Sequence, residues 1–279
     1  MTDRYILTAS CRDLPGISAA VTGCVAEAGG FILDSQQHGD PDTGQFFLRI
    51  AFRTDSPQLA LNARFAPVAD RFTMRWTIIN ADRKPRVLIG VSKFGHCLND
   101  LLHRWRNGGL PVDIIGVFSN HDDMRTLTEW HGLPYHHLPV TRDTRTVQEV
   151  RLLELGKQAE LVVLARYMQI LSQPLTDAWS WRCINIHHSF LPSFKGARPY
   201  HQAHARGVKI IGATAHFVTS DLDEGPIIEQ DVERVSHIHN PEELMRIGQD
   251  IEARVLARAV RGVAERRVLA NGNRTVVFG

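Results

Sequence analysis

Asn185, His187, His216 and Asp223 are the residues of this chain whose types and spacing could do chemistry together. An amide NH2 donates to a developing oxyanion, an imidazole donates or shuttles a proton, and a carboxylate holds that imidazole or takes a proton from water. The set suits addition of a nucleophile to a small carbonyl group. No serine or cysteine stands in an elbow such as G-x-S-x-G, so direct attack by water or an amine fits better than a covalent intermediate. Each residue taken singly also has a structural reading: a strand-end histidine satisfied by packing, or an aspartate turning the chain before Glu224-Gly225-Pro226. The order N-x-H, a long gap, then H-x6-D-x-G favours chemistry, because Asn185 and His187, two apart on one strand, share a face. His216 keeps two readings, orienting the site or only filling a strand.

The elements that must position these side chains are apolar runs. CINIHH and GATAHFV read as buried strands, and in an α/β sheet the carboxyl ends of strands are where ligands bind. From Pro85 onward VLIGVS, VDIIGVFSN, YHHLPV and LVVLA read as further strands. They alternate with helices predicted over His96–Asn107, Met124–His131 and Thr144–Ala159. A closing helix over Glu242–Arg266 packs Leu244, Ile247, Ile251 and Leu256 inward. This alternation predicts a doubly wound, mostly parallel α/β sheet.

The first eighty residues follow a different grammar. Tyr5–Ala9 is a strand, and a helix from Ile17 stops at Gly29-Gly30; Phe31–Gln37 and QFFLRIAFR are strands, the latter with Phe46, Leu48, Ile50 and Phe52 on one face. Ser56-Pro57 reads as an N-cap and first helical residue, and Met74, Trp76 and Ile78 alternate in a fourth strand. The order βαββαβ is that of a ferredoxin-like unit. ADRKPR is the expected linker, giving domains 1–82 and 83–279.

Composition narrows the function classes. The 279 residues are 43% hydrophobic and 22% charged, as in an ordinary globular protein, and a net charge of +2, from 32 Lys plus Arg against 30 Asp plus Glu, argues against a nucleic-acid partner. The third strand also lacks the RNP1 pattern of RNA-binding βαββαβ domains. No run of eighteen apolar residues and no leader-like N-terminus occur, so no membrane partner and a cytoplasmic location are expected. Cys11, Cys24, Cys97 and Cys183 form no CxxC pair and are expected reduced. His187, His188, His201, His204, His216 and Asp223 are potential ligand stock, but no H-E-x-x-H signature appears, so no metal is expected.

NIHHSFLPSFKGARPYHQA followed by GATAHFVTSDLDEGPIIEQ resembles the folate-dependent formyltransferase family, and the double histidine with KGARPYHQA resembles its hydrolytic branch. ARYMQILS and VSKFGHCLNDLL are similar to the same branch, and the likeness covers essentially the whole chain. The resemblance implies that 10-formyltetrahydrofolate and water give tetrahydrofolate and formate, supplying formate for purine synthesis and balancing one-carbon folate pools. It places the catalytic roles on Asn185, His187 and Asp223. Asn185 and protonated His187 would stabilise the oxyanion, while Asp223 with an ordered water would relay the proton that N10 needs to leave. The folate loop falls on Arg166, Tyr167, Met168, Gln169, Ile170 and Leu171, with His188 and His216 beside it. Lys195 and Arg198 face either the folate carboxylate tail or solvent. No cofactor is implied, folate being the substrate.

Within the same family, glycinamide ribonucleotide enzymes resemble one another in a GxGSN phosphate loop. The matching place here, VSKFGHCLND, has one glycine, Gly95, beside bulky Lys93 and Phe94. An amine's phosphate would find fewer free backbone N–H groups there, which favours water as acceptor over a transferase reaction. A folate or amino-acid sensor that kept the pocket is the third reading. The N-terminal unit resembles an ACT regulatory domain, which implies a possible amino-acid effector near Asp13 and Gly16 and a homo-oligomer formed through these units. A purely dimerising role is the alternative.

Overall fold

The computed structural model describes residues 3–191 and 199–279. The chain divides into two compact units, Met1–Lys84 with Glu265–Gly279, and Pro85–Ala264. The first break falls inside ADRKPR. Residues 265–279, expected to close the second domain, belong instead to the first unit.

In that first unit β1 (Asp3–Arg12), α1 (Ile17–Glu27), β2 (Phe31–Asp40), β3 (Gln45–Thr54), α2 (Gln58–Arg71) and β4 (Arg75–Asn80) follow the βαββαβ order, and the antiparallel sheet runs β2-β3-β1-β4. One face carries Tyr5, Leu7, Ala9, Leu48, Ile50 and Phe52 into a core with Val21, Leu61 and Phe65 from the helices. Period-two alternation makes this face continuous across strands, and period 3.6 makes the helices match it. Helix α2 starts one residue later than expected, with Pro57 as its N-cap. The Ser56 hydroxyl donates instead to the Ala28 carbonyl at 3.0 Å, tying α2 to the end of α1.

The C-terminal strands β12 (Val268–Asn271) and β13 (Arg274–Val277) form a two-stranded hairpin around Gly272, at φ 61°. Asn271 donates to the Asp40 carboxylate at 2.6 Å. Arg49, 4% exposed, pairs with Asp34 at 2.9 Å and donates to the Glu265 carbonyl. Those polar bonds explain the reassignment of the segment: buried charge in the first unit finds its partners there.

The second unit has a seven-stranded sheet in the order β11-β10-β9-β8-β5-β6-β7. Its parallel strands are β5 (Arg86–Val91), β6 (Asp113–Ser119), β7 (Tyr135–His137), β8 (Leu161–Leu164) and β9 (Cys183–His187). Between them lie α3 (His96–Arg106), α4 (Arg125–Trp130), α5 (Arg145–Gly156) and α6 (Gln173–Ala178). Strand β10 (Ile210–Phe217) runs antiparallel to β9, and β11 (Ile227–Arg234), absent from the sequence expectation, runs antiparallel to β10. Helix α7 (Pro199–Ala205) precedes β10, and α8 (Pro241–Ala264) closes the unit. Leu244, Ile251 and Leu256 of α8 are buried as expected, Ile247 is half-buried, and Glu252 is buried among them. Below the sheet's carboxyl edge Leu88, Phe118, Val162, Leu164, Leu175 and Trp179 pack together. All four cysteines are free and buried.

The hydrogen bond from Asn271 holds the Asp40 carboxyl down at about 2, with Thr43 and Arg274 adding to it. A depressed carboxyl contributes stability above its unfolded value near 3.8, and the contribution is lost as pH falls through about 2. Asn271→Ala should therefore lower the unfolding temperature at pH 7, with the deficit closing as the pH approaches 2, in melts followed by circular dichroism.

Candidate active site

Strand register brings the chemical residues together. In the β9–β10 pair His187 opposes Thr214 and Asn185 opposes His216. Cross-strand partners share a face, so Asn185, His187, Thr214 and His216 point the same way. Because β10 is antiparallel, its following loop leaves from the far end of β9 and has to fold back to reach His187. It does so at Gly225: a Cβ there would lie 1.7 Å from the Phe217 carbonyl oxygen and 3.2 Å from His216 Nδ1. Asp223, two residues earlier, takes a left-handed conformation at φ 58°, uncommon for a residue with a side chain and held only where the surroundings require it.

That fold-back sets Asp223 Oδ2 3.2 Å from His187 Nδ1, and Oδ1 3.6 Å from His216 Nε2. The hydrogen bond from His187 first, and the neighbouring His216 next, keep the Asp223 carboxyl well below the usual carboxylate range. It is an anion at any working pH. His216, 2% exposed, places Nδ1 2.9 Å from the Phe217 carbonyl, which requires a proton on that nitrogen. Its Nε2 lies 3.3 Å from the Asn185 amide nitrogen and can accept from it. One amide N–H of Asn185 is thereby engaged and the other is left toward the pocket.

His188 stacks obliquely on His187, with ring centroids 4.9 Å apart. Burial, then the charges of Arg166 and His187, push the His188 imidazole down to about 4, so it is neutral near pH 7. All these groups line one cavity with Arg166, Tyr167, Met168, Gln169, Ile170, Leu171 and the 218–223 loop. Lys195 and Arg198 lie outside the described residues. His201 and His204 are exposed on α7 and do not line this cavity. Asp13 and Gly16 lie in the first unit, on the loop between β1 and α1, with Gly16 at φ 89°.

Several residues that sequence reasoning passed over hold the pocket in shape. Ser92, just past β5, donates to Asn120 at 2.6 Å and accepts from the Met168 amide at 3.0 Å. Its own amide donates to the Arg166 carbonyl at 3.2 Å. Gln148 donates to the Tyr167 hydroxyl at 2.6 Å, and burial pushes that phenol up to about 12. Thr214, fully buried, donates to the Ser189 carbonyl and accepts from the Leu191 amide, which fixes the chain leaving β9. Only Thr214 carried a readable signal, being on the same face as His216 two residues away.

At the start of α3 a Cβ on Gly95 would lie 2.3 Å from Met124 Sδ, and the Phe94 ring lies 6.0 Å from the Arg166 guanidinium. A Cβ-free approach at Gly95 is thus used by the Met124 side chain, not kept as an open loop of amides. His96, Cys97 and Glu252 bring ligand atoms within 4.8 Å of one another. The glutamate is already hydrogen-bonded by His96 and Tyr200, and burial pushes the Cys97 thiol well up, which disfavours the thiolate a metal would need.

Known proteins share both this fold and this sequence. Residues 85–260 match the family model described as formyl transferase. A formyltetrahydrofolate deformylase of Corynebacterium sp. is 51% identical over 280 residues, covering 99% of this chain and 98% of its own. The crystal structure of formyltetrahydrofolate deformylase from Burkholderia mallei superimposes with a TM-score of 0.96 at 52% identity, over 99% of this chain and 100% of that one. Glycinamide ribonucleotide transformylase 1 from Symbiobacterium toebii gives 0.63 at 31% identity, over 70% of this chain and 95% of its own.

The contact at Gly225 leaves no room for a methyl group, and backbone is what it would strike. Gly225→Ala should move the loop enough to part Asp223 from His187, costing about 1–3 kcal/mol of stability. A crystal structure of the variant, with the two side chains beyond hydrogen-bonding distance in a folded protein, is the expected result.

Proposed function

The chain belongs to the formyl transferase family, among its formyltetrahydrofolate deformylases, and from that membership and the pocket we infer how its residues divide the work. The reaction is hydrolysis: water adds to the formyl carbon of 10-formyltetrahydrofolate, the bond to N10 breaks, and tetrahydrofolate and formate leave. The observation that carries the assignment of roles is the pairing of His187 Nδ1 with Asp223, in a cavity shared with the free face of Asn185.

Asp223 keeps a proton on Nδ1 of His187 and leaves Nε2 to face the formyl group. As an imidazolium, His187 donates from Nε2 to the oxygen that becomes negative in the tetrahedral intermediate. Asn185 donates to the same oxygen through the amide N–H that His216 does not engage. Donors fixed before the reaction need no reorganisation as charge develops, the condition under which an oxyanion site is strongest. His216 orients Asn185 through the nitrogen that accepts from its amide.

The attacking water has to lose a proton and N10 has to gain one. A carboxyl held as low as that of Asp223 is a weak base, so we assign it a relay and not a store. It orients the water and passes the proton on as N10, no longer conjugated to a carbonyl, becomes basic. Support for water as the acceptor comes from the start of α3, where Phe94 and the contact of Gly95 with Met124 stand in place of an open glycine loop. Residues 166–171 hold the pterin, and Lys195 the carboxylate tail. The chemistry asked of these residues is proton transfer and hydrogen bonding, for which no metal or organic cofactor is proposed; a chelator should leave the rate unchanged.

For the first unit we propose an ACT-like role: a small effector, an amino acid, at the Asp13–Gly16 loop, and self-association of these units. Support comes from the uncapped start of α1 at Gly16 and from Phe31 and Leu33, exposed on the edge strand β2. Among the described residues no helix is long and apolar enough to cross a membrane, and we propose that the protein works in the cytoplasm.

Incubation with 10-formyltetrahydrofolate alone should release formate and tetrahydrofolate in equal amounts; a requirement for an added amine would refute water as acceptor. Asn185→Ala should lower kcat by about 10²–10³-fold with little change in KM, as loss of an oxyanion donor does. Asp223→Asn should lower kcat by at least ~10²-fold, and near-parental turnover would refute its role.

A further inference from the structure

Among the buried ionisable groups without a part in this mechanism, one lies beside the cavity wall. Glu252 on α8 is 1% exposed. Its Oε2 lies 2.8 Å from His96 Nε2 and 3.4 Å from Arg166 Nε, and its Oε1 accepts from the Tyr200 hydroxyl at 2.8 Å. The three partners belong to three places: His96 opens α3, Arg166 begins the pocket loop, and Tyr200 sits on α7. Gly248, one turn earlier, makes the room, since a Cβ there would lie 2.0 Å from the Tyr200 hydroxyl oxygen. Cys97 is the other titratable group close by, and Asp100 beyond it is paired with Arg104.

Burial pushes the Glu252 carboxyl up, and the His96 hydrogen bond, the Arg166 charge and the Tyr200 hydroxyl outweigh burial and leave it below its ordinary value. The anion persists inside the unit because its partners are fixed there. Arg166 is unusual in its own right, with φ at 66°. A side chain in that region needs its surroundings to hold it, and what holds it is the Ser92 amide on its carbonyl and Glu252 on its guanidinium. Arg166 also lines the catalytic cavity, and its charge bears on His188.

We infer that Glu252 is a positioning residue of the active site: paired with Arg166, it fixes the start of the 166–171 loop and offsets the guanidinium charge that would otherwise act on His188 and His187. The inference rests on the reading of His187 as the protonated donor. If Glu252 is neutral, Arg166 is a half-buried cation without its counter-charge on the cavity wall it shares with that donor, and it makes the donor's protonated form less favourable. If Arg166 is neutral, Glu252 does the opposite.

The test is the pH profile of kcat/KM in the full-length protein. Glu252→Gln should move the alkaline limb down by about 0.5–1 pH unit, and Arg166→Gln should move it up by a similar amount. The double variant should return the limb to near the parent's position while KM stays several-fold raised, because the loop has lost its tie. Loosened packing predicts no displacement of either sign, and Leu256→Ala, an apolar loss on the same helix, provides that comparison. Should Glu252→Gln not fold, the upward limb of Arg166→Gln and the double variant, which buries no unpaired charge, carry the test. NMR titration of the His188 ring separates a failure of the His187 reading from a failure of this one. Its midpoint, held below the ordinary imidazole value by burial and by Arg166, should rise in Arg166→Gln and fall back in the double variant, whatever group sets the limb. Unmoved limbs with an unmoved His188 would overturn the proposal.

Discussion

The short contact between Asp223 and His187 is the interaction on which the pocket depends. Neither residue is placed by its own neighbours in sequence. His187 is set by the register of β9 against β10, and Asp223 by a loop that must reverse across the end of β10 to reach it. The reversal works because Gly225 lies against the Phe217 carbonyl with no side chain between, and because Asp223 accepts a left-handed backbone. Local strain of this kind costs roughly 1–3 kcal/mol, and the hydrogen bond to an ionised carboxylate offsets it. Backbone and electrostatics thus support each other.

The ionisable groups around the cavity fall into two pairs of opposite sign. Asp223 is negative with the His187 imidazole beside it, and Arg166 is positive with the negative Glu252 behind it. His188 stands in the middle as a neutral ring. Its neutrality follows from burial and from the Arg166 charge it faces, and an uncharged ring there adds no further cation to the cavity wall. Which residues carry charge near neutrality is therefore a property of the whole cavity wall, not of any one side chain.

Much of this was readable in the sequence, and the limits have physical causes. Asn185 and His187 alternate within an apolar run, so their common face was legible, and the spacing to His216 and Asp223 pointed to one site. The direction of β10 was not legible, since GATAHFV reads the same in a parallel or an antiparallel strand. Strand β11 was hidden because IIEQDVER is polar along most of its length, as an edge strand can be. Glu252 looked like one charge among many on α8, although its place four residues after Gly248 and three before Val255 puts it on the buried stripe. The terminal hairpin was not anticipated, although Asn271-Gly272 is a strong turn signal. What no local pattern could tell was which unit the hairpin would join.

The return of residues 265–279 to the first unit bears on how the protein is made. During synthesis the βαββαβ segment leaves the ribosome first, yet the Glu265 carbonyl that satisfies Arg49 and the Asn271 amide that satisfies Asp40 emerge only after all of Pro85–Ala264. Until then Arg49 has Asp34 but lacks the Glu265 carbonyl, and Asp40 has Thr43 but lacks Asn271, so the first unit is short of part of its final stability. Its completion has to wait for the catalytic unit to be translated. A chain cut after Lys84, though it would contain every strand of the four-stranded sheet, would correspond to this unfinished nascent state and not to a free-standing module.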